Sequence, residues 1–217
     1  YLSCSYEFHA IATPKKTDVV GVDLGVKTLA TLSDGKVFKS VRSYHKFEAK
    51  LCRLQYLNRH KEVGSANWKK AQLKIARLHG KVANIRKDTL HKLTTYLAKN
   101  HNPPPSPPGR GARGVGEDLN VRGMLANHKL AKSIADQGFY EFRRQLKYKC
   151  QWYGCNLVVV DRFFPSSKTC SNCGHVQDMP LHLRTYDCPD CGLSIDRDLN
   201  ASINLRNAVG SVVNACG

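Results

Sequence analysis

Four of the nine cysteines fall within 22 residues, as Cys170-x2-Cys173-x14-Cys188-x2-Cys191. Pairs of Cys-x-x-Cys at nearly this separation make four-thiolate zinc sites, whose usual spacer is about 15–20 residues. Thiolates suit a soft ion, and four of them complete a tetrahedron with no open position for a reacting water. The predicted work is therefore structural: one zinc ion folding a segment too poor in apolar residues to fold alone. Gly174 and Gly192 follow the two pairs and permit the turns that aim both thiolates of a pair at one ion. Cys4, Cys52, Cys150, Cys155 and Cys216 lack such spacing and read as small buried apolar residues.

Carboxylates make a second, harder set. Asp196 and Asp198 follow the last cysteine pair in CGLSIDRDLNAS, Glu117 and Asp118 stand in GEDLN, and Asp23 interrupts the apolar run VVGVDLGV. A charge inside such a run is costly unless paired or metal-bound, so Asp23 is predicted to be functional. Asp34, Asp118 and Asp196 read as turn or cap residues from their neighbours, and Asn120 and Asn200 as helix caps. Three carboxylates that converge would suit a pair of Mg²⁺ ions, which take oxygen ligands and stabilise the attacking and leaving oxygens of a phosphodiester. Spacing alone leaves their convergence open.

Charge points to the partner. Lys and Arg number 34 against 17 Asp and Glu, a formal charge of +17, which calls for a polyanion. Nucleic acid ranks ahead of membrane, because no long apolar run and no signal peptide is visible, and the chain reads as soluble and intracellular. Residues 39–100 hold 16 Lys/Arg and 3 Asp/Glu; with so few acids to balance them, a phosphate-facing surface fits at least as well as a solvated helix face. Lys69, Lys70, Lys74 and Arg77 there, with Arg143, Arg144 and Lys168 further on, are the candidate contacts to nucleic-acid backbones. Ser166, Ser167 and Lys168 fit phosphate contact or simple turn duty equally. Phe163 and Phe164 are read as core residues ahead of base-stacking ones. The histidines show no ligand spacing with the cysteines.

These residues need elements to hold them. VVGVDLGVKTLATLS reads as strand, turn and strand; Asp34-Gly35 is a hairpin signal, and KVFKSV a third strand. From about 44 to 99 apolar residues recur every three or four positions, with a break at Gly64-Ser65, which predicts two antiparallel helices. HNPPPSPPGRGARGVG, residues 101–116, has five prolines and four glycines and cannot be a packed strand or helix. A helix is expected over 127–151, ended by Gly154, then a strand in CNLVVVD and a last helix entered from DRDLN. The order predicts an α/β fold with an initial antiparallel meander.

GVDLGVKTLATLSDG, EDLNVRGM, FRRQLKYK, VVVDRFFPSSKTCSNCG and CPDCGLSIDRDLNASINL, in this order, resemble the transposon protein B (TnpB) family. These are OrfB-type transposase-associated proteins of bacterial and archaeal insertion sequences, compact RNA-guided nucleases related to type V CRISPR effectors. The resemblance implies an RNase H-like (RuvC-like) mixed sheet with a helical insertion and a zinc ribbon inserted ahead of the last catalytic carboxylate. A soft site and a hard site thereby become sequence neighbours. It implies that Asp23, Glu117 and Asp198 (Asp196 as second choice) hold two Mg²⁺ ions, Asp23 bridging them, and hydrolyse DNA. It also implies a guide RNA and a DNA target as partners, and the prokaryotic cytoplasm as location. The organisation expected is residues 1–13 as the last strand of an N-terminal wedge, 14–165 as nuclease core with a helical hairpin at 44–100, 166–193 as zinc ribbon, and 194–217 as the last motif and helix.

In the family a β-branched strand precedes the second carboxylate, whereas here the proline run precedes Glu117. An inactive, nucleic-acid-binding zinc-ribbon remnant is therefore the alternative expectation. An actin-like ATPase reading of DLGVKT ranks far behind, since it leaves the ribbon unexplained.

Overall fold

A computed structural model describes residues 19–101, 116–117, 126, 128–155, 157–161, 163–180 and 182–214, with positions 4 and 7; of residues 116–117, 128–130 and 209–214 only the backbone is described. The expected wedge strand at 1–13, the proline run, Asp118, Asn120 and Cys216 lie outside these, apart from positions 4, 7, 101 and 116.

Strands β1 (Val22–Leu24), β2 (Thr28–Leu32) and β3 (Val37–Lys39) form the predicted antiparallel meander. Gly35 supplies the left-handed residue of the β2–β3 turn at φ 83°. Asp34 Oδ1 accepts the Lys36 N–H at 2.9 Å, so Asp34 is the turn residue its neighbours predicted. Along the first strand, alternation sorts side chains between two faces. Val20, Val22 and Leu24 join a core with Leu29, Ala30 and Leu32 from the meander. Val19 instead packs near Leu205, on the opposite side.

Helices α1 (Ser43–Arg59) and α2 (Ala66–Asn100) fold back on each other. Ser65 caps α2 by accepting the Trp68 N–H at 3.2 Å. The N-terminus of α1 is capped from elsewhere: Asp136 accepts the Ser43 hydroxyl at 2.7 Å and the Tyr44 N–H at 2.9 Å. At 35 residues, α2 is about 52 Å long. Its second half supplies Leu90, Leu93, Leu97 and Ala98 to the core, while its first half projects with α1.

The helix expected over 127–151 is two helices, α3 (His128–Gln137) and α4 (Phe139–Trp152). Gly138 divides them with φ 69°, a left-handed conformation that glycine adopts without penalty. Phe142, Leu146 and Cys150 of α4 complete the core. Gly154 follows the helix end with φ 63°. The strand expected in CNLVVVD is only β5 (Val159–Val160), paired in parallel with β4 (Gly116–Glu117). The antiparallel hairpin of β6 (Thr185–Asp187) and β7 (Ser194–Asp196) leads into α5 (Arg197–Asn214).

Helix α5 covers the second face, where Leu205 packs with Val19, Val158, Val160 and Phe164. Helices thus lie on both sides of the strands, the mixed α/β arrangement the element order predicted. Two isolated cysteines depart from expectation: Cys150 and Cys155 are buried, but Cys4 and Cys52 are exposed. Cys52 falls on the outward side of α1, a helix whose buried side chains are few.

Candidate metal centres and nucleic-acid surface

The thiolate centre is built by two matching turns. Cys170 N–H donates to the His175 carbonyl at 2.7 Å and Gly174 N–H to the Cys170 carbonyl at 3.0 Å; Cys188, Leu193 and Gly192 repeat the pattern at 2.8 and 3.0 Å. Both glycines are left-handed, at φ 80° and 71°. The four Sγ atoms lie within 4.8 Å of one another, with Cys170–Cys191 at 3.6 Å and Cys173–Cys188 at 3.5 Å. A tetrahedral zinc with its usual bond lengths separates its sulfurs by about 3.8 Å, so the four cysteines fit one zinc ion.

The electrostatics suit an ion as well. Hydrogen bonds from the Asn172 side chain and the Leu193 N–H draw Cys191 down to about 6. At Cys173 a hydrogen bond from the His175 backbone is outweighed by desolvation and the neighbouring sulfurs, which push it up to about 12. One thiolate among crowded sulfurs opposes the next ionisation, and a divalent cation removes that opposition. Beneath the sulfurs, Tyr186 is fully buried and donates to the carbonyls of His175 at 3.0 Å and Lys168 at 3.2 Å. With Met179, and with Leu193 and Ile195 packed at the edge, it makes a small apolar cluster under the cysteines.

Two asparagines of α5 fasten the thiolate segment to the rest. Asn200, read from sequence as a helix cap, is instead fully buried one turn into the helix. Its Oδ1 accepts the Ser171 N–H at 3.0 Å and its Nδ2 donates to the Thr169 carbonyl at 2.7 Å. Asn204, which sequence reasoning missed, donates to the carbonyls of Ser166 at 2.8 Å and Thr169 at 2.6 Å. The signal was available: two asparagines four residues apart share one side of a helix. The cap of α5 is Asp196, whose Oδ1 accepts the N–H groups of Asp198 and Leu199 at 3.0 Å.

The carboxylates sit on three elements. Asp23 is on β1, Glu117 ends β4, and Asp198 is in the first turn of α5. Strand β1 contacts both β4 and α5. The approach of α5 depends on Gly21, where a Cβ would stand 1.9 Å from the Ser202 carbonyl oxygen and 2.7 Å from the Arg206 nitrogen. Asp23, two residues on, shares that face of the strand. Glu117 stands in a strand despite the residues before it: Gly116 pairs with Val159 and Glu117 with Val160. Arg184 Nη1 lies 3.9 Å from Asp198 Oδ1, a neighbour that chain spacing gave no reason to expect.

The basic candidates differ in availability. Lys69, Lys70, Lys74 and Arg77 are all exposed on the projecting half of α2, and positions 70, 74 and 77 share one face. Arg143 is exposed on α4. Arg144 is held by Glu141 through two hydrogen bonds of 2.7 and 2.8 Å, and those bonds pull the Glu141 carboxyl down to about 2. Lys168 pairs with Asp178 at 2.6 Å. Ser166 is buried within the turn that Asn204 grips. Phe164 is packed as expected; Phe163 is 83% exposed, against the core reading. No helix among the described residues is long and apolar enough to cross a membrane.

Comparison with known proteins agrees with these features. The family model described as "Probable transposase" of the OrfB/IS605 type matches residues 3–128, and the Cas12f1-like TNB domain matches 139–205. A Streptomyces pristinaespiralis protein named "Putative RNA-guided DNA endonuclease" is 43% identical over 94% of this chain and 48% of its own length. The Escherichia coli (strain K12) protein InsQ, named in the same words, is 40% identical over all of this chain and 55% of its own. The chain spans about half the length of these curated relatives. A chain of the Cas12f1–sgRNA–target DNA complex shares the fold at a TM-score of 0.57 and 20% identity, over 90% of this chain and 40% of that one.

Proposed function

The chain belongs to the OrfB/IS605 transposase family, and from that premise we propose that it is the nuclease and zinc-ribbon portion of a transposon-encoded, RNA-guided DNA endonuclease. The relatives' names support the activity. The observation that carries the reading in this chain is that β1 touches both β4 and α5, which sets Asp23 between the elements bearing Glu117 and Asp198. That arrangement suits the RNase H-like sheet implied by the sequence motifs.

In this reading Asp23, Glu117 and Asp198 supply hard oxygen ligands for two Mg²⁺ ions, which fits the donor set. Such a pair, when bound, stabilises the attacking and leaving oxygens of a phosphodiester. The protein's own part is placement. Gly21 lets α5 close on β1, and Asp196 spends its carboxylate on the α5 cap, which favours Asp198 as the third ligand. Arg184 holds a positive charge 3.9 Å from Asp198. The exposed Lys69, Lys70, Lys74 and Arg77 hold phosphates of target DNA and guide RNA, with Arg143 a further contact, so binding weakens steeply with salt.

Asp23→Ala and Asp198→Ala are each expected to abolish Mg²⁺-dependent cleavage while nucleic-acid binding persists. Cleavage that survives both changes would refute the assignment. The proline run ahead of Glu117 favours a second reading, an inactive binding remnant. Intact binding with no cleavage by the unaltered chain at any Mg²⁺ or Mn²⁺ concentration would select it.

A further inference from the structure

Phe163 is 83% exposed. Single exposed apolar residues are ordinary; the mounting of this one is not. Its own N–H donates to Asp161 Oδ1 at 2.8 Å. The next N–H, of Phe164, donates to the Asp161 carbonyl at 3.0 Å, and that of Ser166 to the Phe164 carbonyl at 2.8 Å. Phe164 itself is anchored among Leu205, Val158 and Val160, and Pro165 fixes one backbone angle beyond it. The backbone under the exposed ring is therefore tied on both sides, so little freedom is left to lose when the ring meets a ligand.

Its place is equally specific. Val160 ends β5 directly opposite Glu117, which ends β4, and the two strands run parallel. Ligands of α/β sheets bind beyond the carboxyl ends of the strands. Phe163 stands three residues past Val160, so its Cα lies within about 16 Å of that of Glu117.

We propose that Phe163 is a stacking platform for one nucleobase of the single DNA strand delivered to the carboxylate site. The proposal rests on the nuclease reading for the identity of that strand. Every base presents a π face, so an aromatic platform grips a strand without reading its sequence. The charge of +17 draws the phosphates, and the ring fixes the strand's position along the surface.

The test uses the whole zinc-loaded chain in buffer without Mg²⁺, with single-stranded oligonucleotides carrying 2-aminopurine at successive positions, in DNA and RNA versions. The expected result is a DNA position whose fluorescence is quenched on binding. Phe163→Leu should lose that quenching and bind about tenfold more weakly, whereas Phe163→Trp should keep both. Equal quenching and affinity in Phe163→Leu overturns the platform, as does quenching confined to the RNA probe. Zinc content together with an unchanged far-UV circular dichroism spectrum and melting temperature shows that each variant retains its fold. Because no cleavage is involved, a chain that quenches but never cuts keeps the platform and loses the nuclease reading. A chain that cuts DNA but whose quenching ignores Phe163 does the reverse.

Discussion

Twenty-two consecutive residues hold every ligand of the thiolate centre, whereas the carboxylates of the second centre come from positions 23, 117 and 198. The first is assembled by short-range geometry: two turns, each closed by its own pair of backbone hydrogen bonds and a left-handed glycine. The second exists only if a strand pair, a meander and a helix find one another. A local site draws its stability from the ion it binds, and a distributed one from the packing of the elements that carry it. The two are joined through Asn200 and Asn204, so each can be disturbed and the other watched.

Removing a zinc ion held by the four cysteines is the largest disturbance expected. Structural zinc contributes an apparent ~10–16 kcal/mol to comparable small sites, and the segment around Tyr186 and Met179 has little apolar filling to replace it. Chelation, or Cys188→Ser, is expected to open residues 166–193 to proteolysis while the amides of β2 and the second half of α2 keep their hydrogen-exchange protection. If those core amides lose protection together with the ribbon, the two regions are one cooperative unit and the contrast fails.

Gly21→Ala attacks the other side. A methyl group 1.9 Å from the Ser202 carbonyl oxygen meets helix backbone, which cannot swing away as a side chain would. Overpacking of this kind costs about 3 kcal/mol, and α5 must shift from β1. DNA cleavage should vanish with zinc still bound at one ion per chain. Retained cleavage would show that the distance between Asp23 and Asp198 does not depend on this contact.

Asn200→Ala tests the joint itself. It leaves the Ser171 N–H without its side-chain acceptor and the Thr169 carbonyl with Asn204 alone, at about 2 kcal/mol. Zinc should remain, and cleavage should fall more than stability does, because the ribbon then moves relative to Asp198. A variant that lowers the melting temperature but cleaves as well as the parent when folded would make the joint purely structural.

The contrast also explains what could be read from the chain in advance. The thiolate site was legible to the residue, because Cys-x-x-Cys-Gly carries both its ligands and its turn. The meander was legible from alternation and Asp34-Gly35. Gly138 was not: one glycine inside an apolar-periodic stretch is compatible with a continuous helix, and only Arg86 and Leu90, 3.2 Å from where its Cβ would be, show how closely α2 approaches. Asn200 was misread for a related reason. An asparagine near a helix start usually caps it, and nothing in the chain shows that Thr169 and Ser171 come to rest against it. Phe163 and Phe164 are identical in type and adjacent, so only the tertiary position of Leu205 decides which one packs inward.

The smallest expected effect concerns the scaffold behind the carboxylate centre. Lys149 is buried, and its Nζ donates to the His91 carbonyl, Thr94 Oγ1 and Thr95 Oγ1, each at 2.8 Å. Burial pushes it down from 10.5 to about 8. Between those values the unfolded chain holds a proton that the folded chain has released, so this group makes stability rise with pH across that window and charges the fold a penalty below it. Lys149→Met removes the penalty and three hydrogen bonds together, a net change of about 1 kcal/mol in either direction at neutral pH. The sharper expectation is in the slope. Subtracting the variant's urea midpoints from the parent's, at several pH values between 7 and 10, should leave a curve that climbs with pH, because the tyrosines and cysteines common to both cancel. A flat difference would mean that the three acceptors hold the ammonium charged at its ordinary value. Zinc content should be the same in both proteins throughout, since the hydrogen bonds of the Lys149 ammonium join α4 to α2.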